Sequence, residues 1–232
     1  MKKAAPLLVA ALLTLAGIAP ARAAILVELF TAQGCASCGV ADALMGKLAE
    51  RPDVIPLTWS VDYWDYLGWK DTFAKPAFTD RQRAYNRRFG LQDVYTPQVV
   101  VSGAVQTSGG SAADVKALVE KALRQKVQGP RIRILADGRV TVGPGDRRAG
   151  TFEVWLIRYR PKEQDVVITD GDNRGKTVAN FNVVRDVTRL GVWRGSAASF
   201  KAPPSGEEGL AGLVVVQGIR GGRVVALARL AD

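Results

Sequence analysis

Ile25-Leu26-Val27-Glu28-Leu29-Phe30-Thr31-Ala32-Gln33-Gly34-Cys35-Ala36-Ser37-Cys38-Gly39-Val40 holds both cysteines of the chain, with two residues between them. The apolar run before them reads as a strand covered on both faces, interrupted only by Glu28. After them, Ala41, Leu44, Leu48 and Ala49 recur at helical spacing up to Glu50. A thiol pair between a strand and a helix start is the spacing of a redox dithiol. The unpaired N–H groups of a helix N-terminus favour thiolate over thiol at Cys35, which makes it the nucleophile. Cys38, one turn further in, is placed to resolve a mixed disulfide. Two plainer readings stay open beside this one. A structural disulfide closing so short a loop stabilises a fold only modestly, and two soft thiolates also suit Cu(I). A closed zinc site needs four ligands, which two cysteines without a single histidine do not supply.

The first residues bear on the compartment. Met1-Lys2-Lys3, an apolar stretch over 4–19 and Ala21-Arg22-Ala23 have the build of a secretory signal peptide over 1–23, cleaved between Ala23 and Ala24. The alternative is an uncleaved anchor, for which the apolar part is short. Cleavage of the 232-residue chain leaves 209 residues, and removing Lys2, Lys3 and Arg22 lowers the formal charge from +10 to +7. The expected location is periplasmic or secreted, where disulfides persist and a lone pair is either stapled shut or used in catalysis. No basic cluster is interleaved with aromatics, so nucleic acid is not an expected partner. The absence of histidine also removes Ser-His-Asp and Cys-His chemistry.

Beyond the cysteines, Pro52-Asp53 ends the helix and 54–61 gives a second strand, parallel to the first by a right-handed crossover. Asp62-Tyr63-Trp64-Asp65-Tyr66-Leu67-Gly68-Trp69 is unusually aromatic for a loop. A helical stretch follows over 70–90, with Thr79 and Gln82 at the spacing of a capping box. Tyr95-Thr96-Pro97-Gln98 leads into Val99-Val100-Val101, with Ser102-Gly103 turning the chain into a returning strand. Ser111 is the expected N-cap of a helix whose face is Val115, Leu118, Val119, Ala122 and Leu123. Gly129-Pro130 breaks the helical period. The hairpin 131–142 and strands near 151–159, 166–169, 178–187, 213–217 and 224–228 then indicate an antiparallel sandwich or partly closed barrel. The expected division is a domain over 24–128 and a β-rich one over 130–232. Asp170-Gly171-Asp172-Asn173-Arg174-Gly175 fails as a calcium loop, since Arg174 falls on a ligand position and Phe181 where the closing Glu belongs. It reads as a hairpin loop.

The order strand, C-x-x-C helix, strand, helical insertion, X-Pro, hairpin and helix resembles a thioredoxin-like fold. The wording Glu28-Leu29-Phe30-Thr31-Ala32-Gln33-Gly34-Cys35, then Val61-Asp62-Tyr63-Trp64-Asp65-Tyr66-Leu67-Gly68-Trp69-Lys70-Asp71, then Tyr95-Thr96-Pro97-Gln98, is similar to a family of exported bacterial proteins known as domain-of-unknown-function family 1223. That resemblance implies an α/β fold and a site, not a substrate. It implies a cis peptide before Pro97, packed against the dithiol, with the Thr96 backbone free to pair with an extended substrate. It also implies a buried carboxylate behind the second cysteine, for which Glu28 is the candidate proton relay. Glu28 on an exposed edge, or paired with a basic residue, is the competing view. Gly39 stands where family members often carry proline, and glycine loosens a helix start.

Together these readings anticipate an exported thiol–disulfide oxidoreductase acting on protein or peptide thiols, with no dissociable cofactor and no metal. Cys35 and Cys38 react, Thr96 and Pro97 hold the substrate, Glu28 and Asp62 move or tune the proton, and Tyr63 and Trp64 wall the groove. The competing reading buries Trp64 and Trp69 over the helical insertion as a satellite core and has Asp62 cap a helix. A redox partner resets the dithiol. The competing function is a non-enzymatic binding module carrying a structural disulfide.

Overall fold

The structure is a computed structural model that describes residues 24–125 and 129–230. The expected signal peptide lies outside the described residues. Strand β1 (Ile25–Thr31) pairs in parallel with β2 (Val54–Ser60), and helix α1 (Gly39–Ala49) makes the crossover. Helix α2 (Pro76–Phe89) follows a 3-10 turn at Asp65–Leu67. Proline at its start replaces the anticipated cap, because its missing N–H would be unpaired there anyway. Thr79 lies inside the helix and bonds to Asp62 instead of forming a capping box. β3 (Gln98–Val101) runs antiparallel to β1 and turns through Ser102-Gly103 into β4 (Val105–Ser108). Helix α3 (Ala112–Arg124) is capped as expected, the Ser111 hydroxyl accepting from the Asp114 N–H at 3.3 Å.

The alternation of β1 explains its near-continuous apolar sequence. Leu26 and Phe30 join the cluster beneath α2 with Trp59, Phe78 and Tyr85. Val27 and Leu29 face the other way, into the cluster of α1 and α3 with Leu44, Met45, Leu48, Val115 and Val119. Both faces of the sheet are covered, so each position of this strand favours an apolar side chain.

The sandwich-like domain expected after Gly129 is corrected in one respect: most of its strands do not form a sheet of their own. β7 (Phe152–Val167), β8 (Thr177–Trp193), β10 (Ala211–Gly218) and β11 (Val224–Arg229) continue the first sheet. Its order is β11-β10-β7-β8-β2-β1-β3-β4, an eight-stranded mixed sheet in an α/β architecture with three α-helices among the described residues. The junction is a single parallel pairing, Thr58 with Val183, reinforced by the Thr58 hydroxyl donating to the Phe181 carbonyl at 2.7 Å. β5 (Ile132–Ile134), β6 (Arg139–Val142) and β9 (Ala198–Lys201) form a second, three-stranded layer. Between the layers lie Val140, Val142, Phe152, Val154, Leu156, Trp193, Val214 and Val216.

β7 and β8 are far longer than an ordinary strand, and their far half is what reaches the cysteines. The ribbon is broken by a register shift between Arg160 and Glu163. Lys162 and Asn182 both have positive φ there, and the Lys162 N–H donates to Asn182 Oδ1 at 3.2 Å across the ribbon. Beyond this bend, 163–167 pairs with 177–181 to form an arm that packs on α1. Gly46 permits the contact: a Cβ there would lie 2.7 Å from the Phe181 ring.

Candidate functional site

The chain leaves β1, turns with the Cys35 N–H bonded to the Ala32 carbonyl, and enters α1 with Cys38 as N-cap. Cys35 and Cys38 are joined by a disulfide. The two residues are only 3% and 1% exposed. Cys35 nevertheless lines a cavity of about 530 Å³ between α1 and the arm. Its sulfur lies 3.5 Å from the Ser37 hydroxyl.

Gln33 fixes the turn that presents Cys35. It is buried; its N–H donates to Asp71 Oδ2 at 2.7 Å, and its amide nitrogen donates to the Thr72 hydroxyl at 2.9 Å. Its side-chain oxygen accepts from Trp69 Nε1 at 2.9 Å. Its carbonyl accepts from Asn173 Nδ2 at 2.8 Å, which ties the tip of the arm to the residue two before Cys35. Lys176 Nζ in turn donates to Asn173 Oδ1 at 3.0 Å. The 170–175 segment that fails as a calcium loop thus serves as a clasp.

Two acids share the cavity with Cys35: Glu163 on the arm and Asp42, one helical turn after Cys38. Asp42 is the buried one of the pair. It is 4% exposed, and the Asn180 amide reaches it only across a long hydrogen bond, from Nδ2 at 3.4 Å. The side-chain oxygen of Asn180 is buried without a hydrogen-bond partner. Burial pushes the Asp42 carboxyl up to about 7, with the charge of Asp71 adding to the effect and the side chains of Thr31 and Asn180 working against it. Burial likewise raises Asp71 to about 6, opposed by the backbone N–H groups of Gln33, Phe73 and Ala74.

Glu28 has a different setting. It is fully buried, as a relay would need to be, but its carboxylate accepts from Arg81 Nε at 2.7 Å and from the Tyr85 hydroxyl. Arg81 also donates to Gln217 Oε1 at 3.1 Å and lies over the Trp59 ring, 4.9 Å from its centroid. Glu28 is therefore held in a compensated ion pair beneath α2, and it does not line the Cys35 cavity.

Other expected site residues are dispersed around the dithiol. The Thr96–Pro97 peptide is cis. Pro97 lies near α1 through Gly109, where an added Cβ would sit 2.8 Å from Ala41 Cβ and 3.0 Å from Pro97 Cβ. The Thr96 hydroxyl is buried without a partner. Asp62 accepts from the Thr79 hydroxyl at 2.6 Å and anchors α2. Tyr63 and Trp64 are half-buried against the core, their rings 6.4 Å apart. Neither they nor Thr96 and Pro97 line the cavity that Cys35 opens on; its far wall is the arm. Sequence reasoning missed Gln33, Asp42 and Asn173. Only Asp42 carried a signal, a carboxylate on the inner face of an apolar helix, four residues after Cys38.

Among the described residues no helix is long and apolar enough to cross a membrane, and no group of three His, Cys, Asp or Glu is placed to hold a metal. No curated protein matches the chain. The crystal structure of protein AGR_C_4864 from Agrobacterium tumefaciens is 31% identical, with a TM-score of 0.70 over 89% of this chain and 93% of that one. HBP35 of Porphyromonas gingivalis is similar in fold alone, at 11% identity and a TM-score of 0.61 over 90% of this chain and 75% of that one. The model of the family described as "Protein of unknown function (DUF1223)" matches residues 26–217, and so spans strand, cysteine pair, cis-proline segment and arm alike: the chain belongs to that family.

Proposed function

We propose that the protein is an exported thiol–disulfide oxidoreductase built on a thioredoxin-like arrangement of β1, α1, β2, β3, β4 and α3. The observation that carries this reading is a cysteine pair bonded at the N-terminus of an 11-residue helix, with Cys35 opening on a cavity. In the reduced protein the helix N-terminus favours a thiolate at Cys35. That thiolate attacks a substrate disulfide: a bond forms between Cys35 Sγ and one substrate sulfur, and the other sulfur leaves and takes up a proton. Cys38 then attacks Cys35 Sγ, closing the Cys35–Cys38 bond and releasing the second substrate thiol. The substrate gains two electrons, the dithiol loses two, and no dissociable cofactor takes part. The reverse sequence oxidises a substrate, and the potential of the partner that resets the pair decides the direction.

Cys38 must lose its proton to resolve the intermediate. Asp42, close to half-ionised at neutral pH and one turn along the same helix, is the group that accepts it. Glu28, engaged with Arg81, does not take that role. Thr96 and Pro97 stand outside the cavity on which Cys35 opens and have no step in this scheme.

Trapping tests the reading. A Cys38→Ser variant exported in cells should accumulate mixed disulfides through Cys35 with envelope proteins, visible on non-reducing gels and lost on reduction. The near-complete burial of both cysteines favours one competing function, a binding module with a structural bridge. That alternative gives no adducts and a disulfide that glutathione leaves unchanged.

A further inference from the structure

The arm presents Lys176, Thr177, Val178 and Ala179, then Phe181, to the cavity. A strand face shows every second residue, whereas consecutive residues line a space only when the strand turns its edge to it. β8 is paired with β7 throughout 177–181, and its pairing with β2 is confined to Val183. Over these residues, therefore, the edge away from β7 has no ladder partner among the described strands. The opposite wall is one face of α1 and its approach, where Ala36, Gly39 and Ala43 are all small. A Cβ built on Gly39 meets nothing within 4 Å, so the space beside the helix is open. Cys35 lies in the same wall. Unpaired strand edges recruit extended chains, and small residues opposite leave room for one.

We propose that this cavity is the seat of an extended, cysteine-bearing peptide segment of the substrate protein, which adds as a strand to the edge of β8 at 177–179. The inference rests on the redox reading above and specifies its substrate: an unfolded or extended polypeptide thiol, not a small-molecule thiol. In the oxidising direction the peptide sulfur bonds to Cys35 Sγ as the Cys35–Cys38 bond breaks. Cys38 leaves with the electron pair and takes up the proton the peptide thiol has lost. The peptide is held by main-chain hydrogen bonds to β8, so its sequence beyond the cysteine matters little.

The test uses the full mature chain and two thiol probes, dithiothreitol and an unstructured decapeptide with one central cysteine. Ala43 is exposed on α1, and Ala43→Trp fills the cavity without touching the core. Ala49→Trp, exposed on the same helix and outside the cavity, is the control. The expected result is a fall of at least tenfold in the peptide rate relative to the dithiothreitol rate for Ala43→Trp, with no change in that ratio for Ala49→Trp. An unchanged ratio in Ala43→Trp overturns the peptide seat while leaving the redox reading intact. A wild-type disulfide that neither probe opens overturns the redox reading itself. Amide hydrogen exchange on the peptide mixed disulfide of Cys38→Ser is the second readout. Protection gained at 177–179 supports strand addition, and protection gained only around Thr96 and Pro97 overturns it.

Discussion

Two buried carboxylates flank the central sheet, and they have opposite surroundings. Glu28, on β1, meets a guanidinium, a tyrosine hydroxyl and, through Arg81, the Gln217 amide. Asp42, on α1, has a long bond from one amide and a cavity in front of it. The first arrangement holds a charge in place, since removing either partner strands the other without water. The second does not neutralise a charge, so the carboxyl keeps a proton up to neutral pH. Burial alone thus fails to distinguish a carboxylate fixed in an ion pair from one that titrates near neutral pH. The presence of a counter-ion does.

The comparison can be broken by substitution. Arg81→Met leaves Glu28 buried and uncompensated, and should lower stability by about 3–5 kcal/mol in urea unfolding. A loss under about 1 kcal/mol would mean that Glu28 is not charged in the fold.

Asp42→Asn should act in the opposite sense. An acid whose folded pKa, about 7, exceeds its unfolded value binds more protons in the native state, so its contribution to stability falls as pH rises from about 4 to about 7. The variant lacks that fall. It should gain about 2–4 kcal/mol over wild type at pH 8 and almost nothing at pH 4, since each tenfold change in proton affinity between the folded and unfolded chains is worth about 1.4 kcal/mol. A difference that is flat with pH would place Asp42 in water.

Smaller effects sharpen the role of the arm. Gly46→Ala drives a methyl into the Phe181 ring and should cost about 1–3 kcal/mol, with much of the loss recovered on adding Phe181→Leu. Asn173→Ala deprives the buried Gln33 carbonyl of its donor and should cost about 1–2 kcal/mol. It should also speed hydrogen exchange across 168–176 relative to the rest of the sheet.

The parts of the fold legible in the sequence follow from local chemistry. The strand–cysteine–helix segment, the Ser111 cap and the Ser102-Gly103 turn each depend on neighbours within a few residues, and the chain shows them directly. The bend at Lys162 and Asn182 does not. Arg160-Pro161-Lys162-Glu163 has the look of a turn, which predicts a strand ending near Tyr159, whereas β7 continues through it as the arm. With the arm hidden, so are its contacts: Asn173 with Gln33, Asn180 with Asp42 and Phe181 with Gly46 join residues more than a hundred positions apart. Glu28 stands out as a charge in an apolar strand, but its partner lies 53 residues away on a helix whose polar face reads as solvent-facing. Asp42 carries a signal, its place on the inner face of α1, but a weak one, because an acidic residue in a first helical turn is also an ordinary stabilising feature.

The proposed chemistry needs two unequal sulfurs: Cys35 at the cavity and polarised by the helix end, Cys38 beneath it. The direct measurement is the rate of iodoacetamide labelling of each cysteine in the reduced full chain as a function of pH, read by mass spectrometry. Cys35 is expected to react first, with an apparent pKa below the usual thiol value of about 8.5, while Cys38 lags until the protein unfolds. Equal slow labelling of both cysteines, or earlier labelling of Cys38, would contradict it.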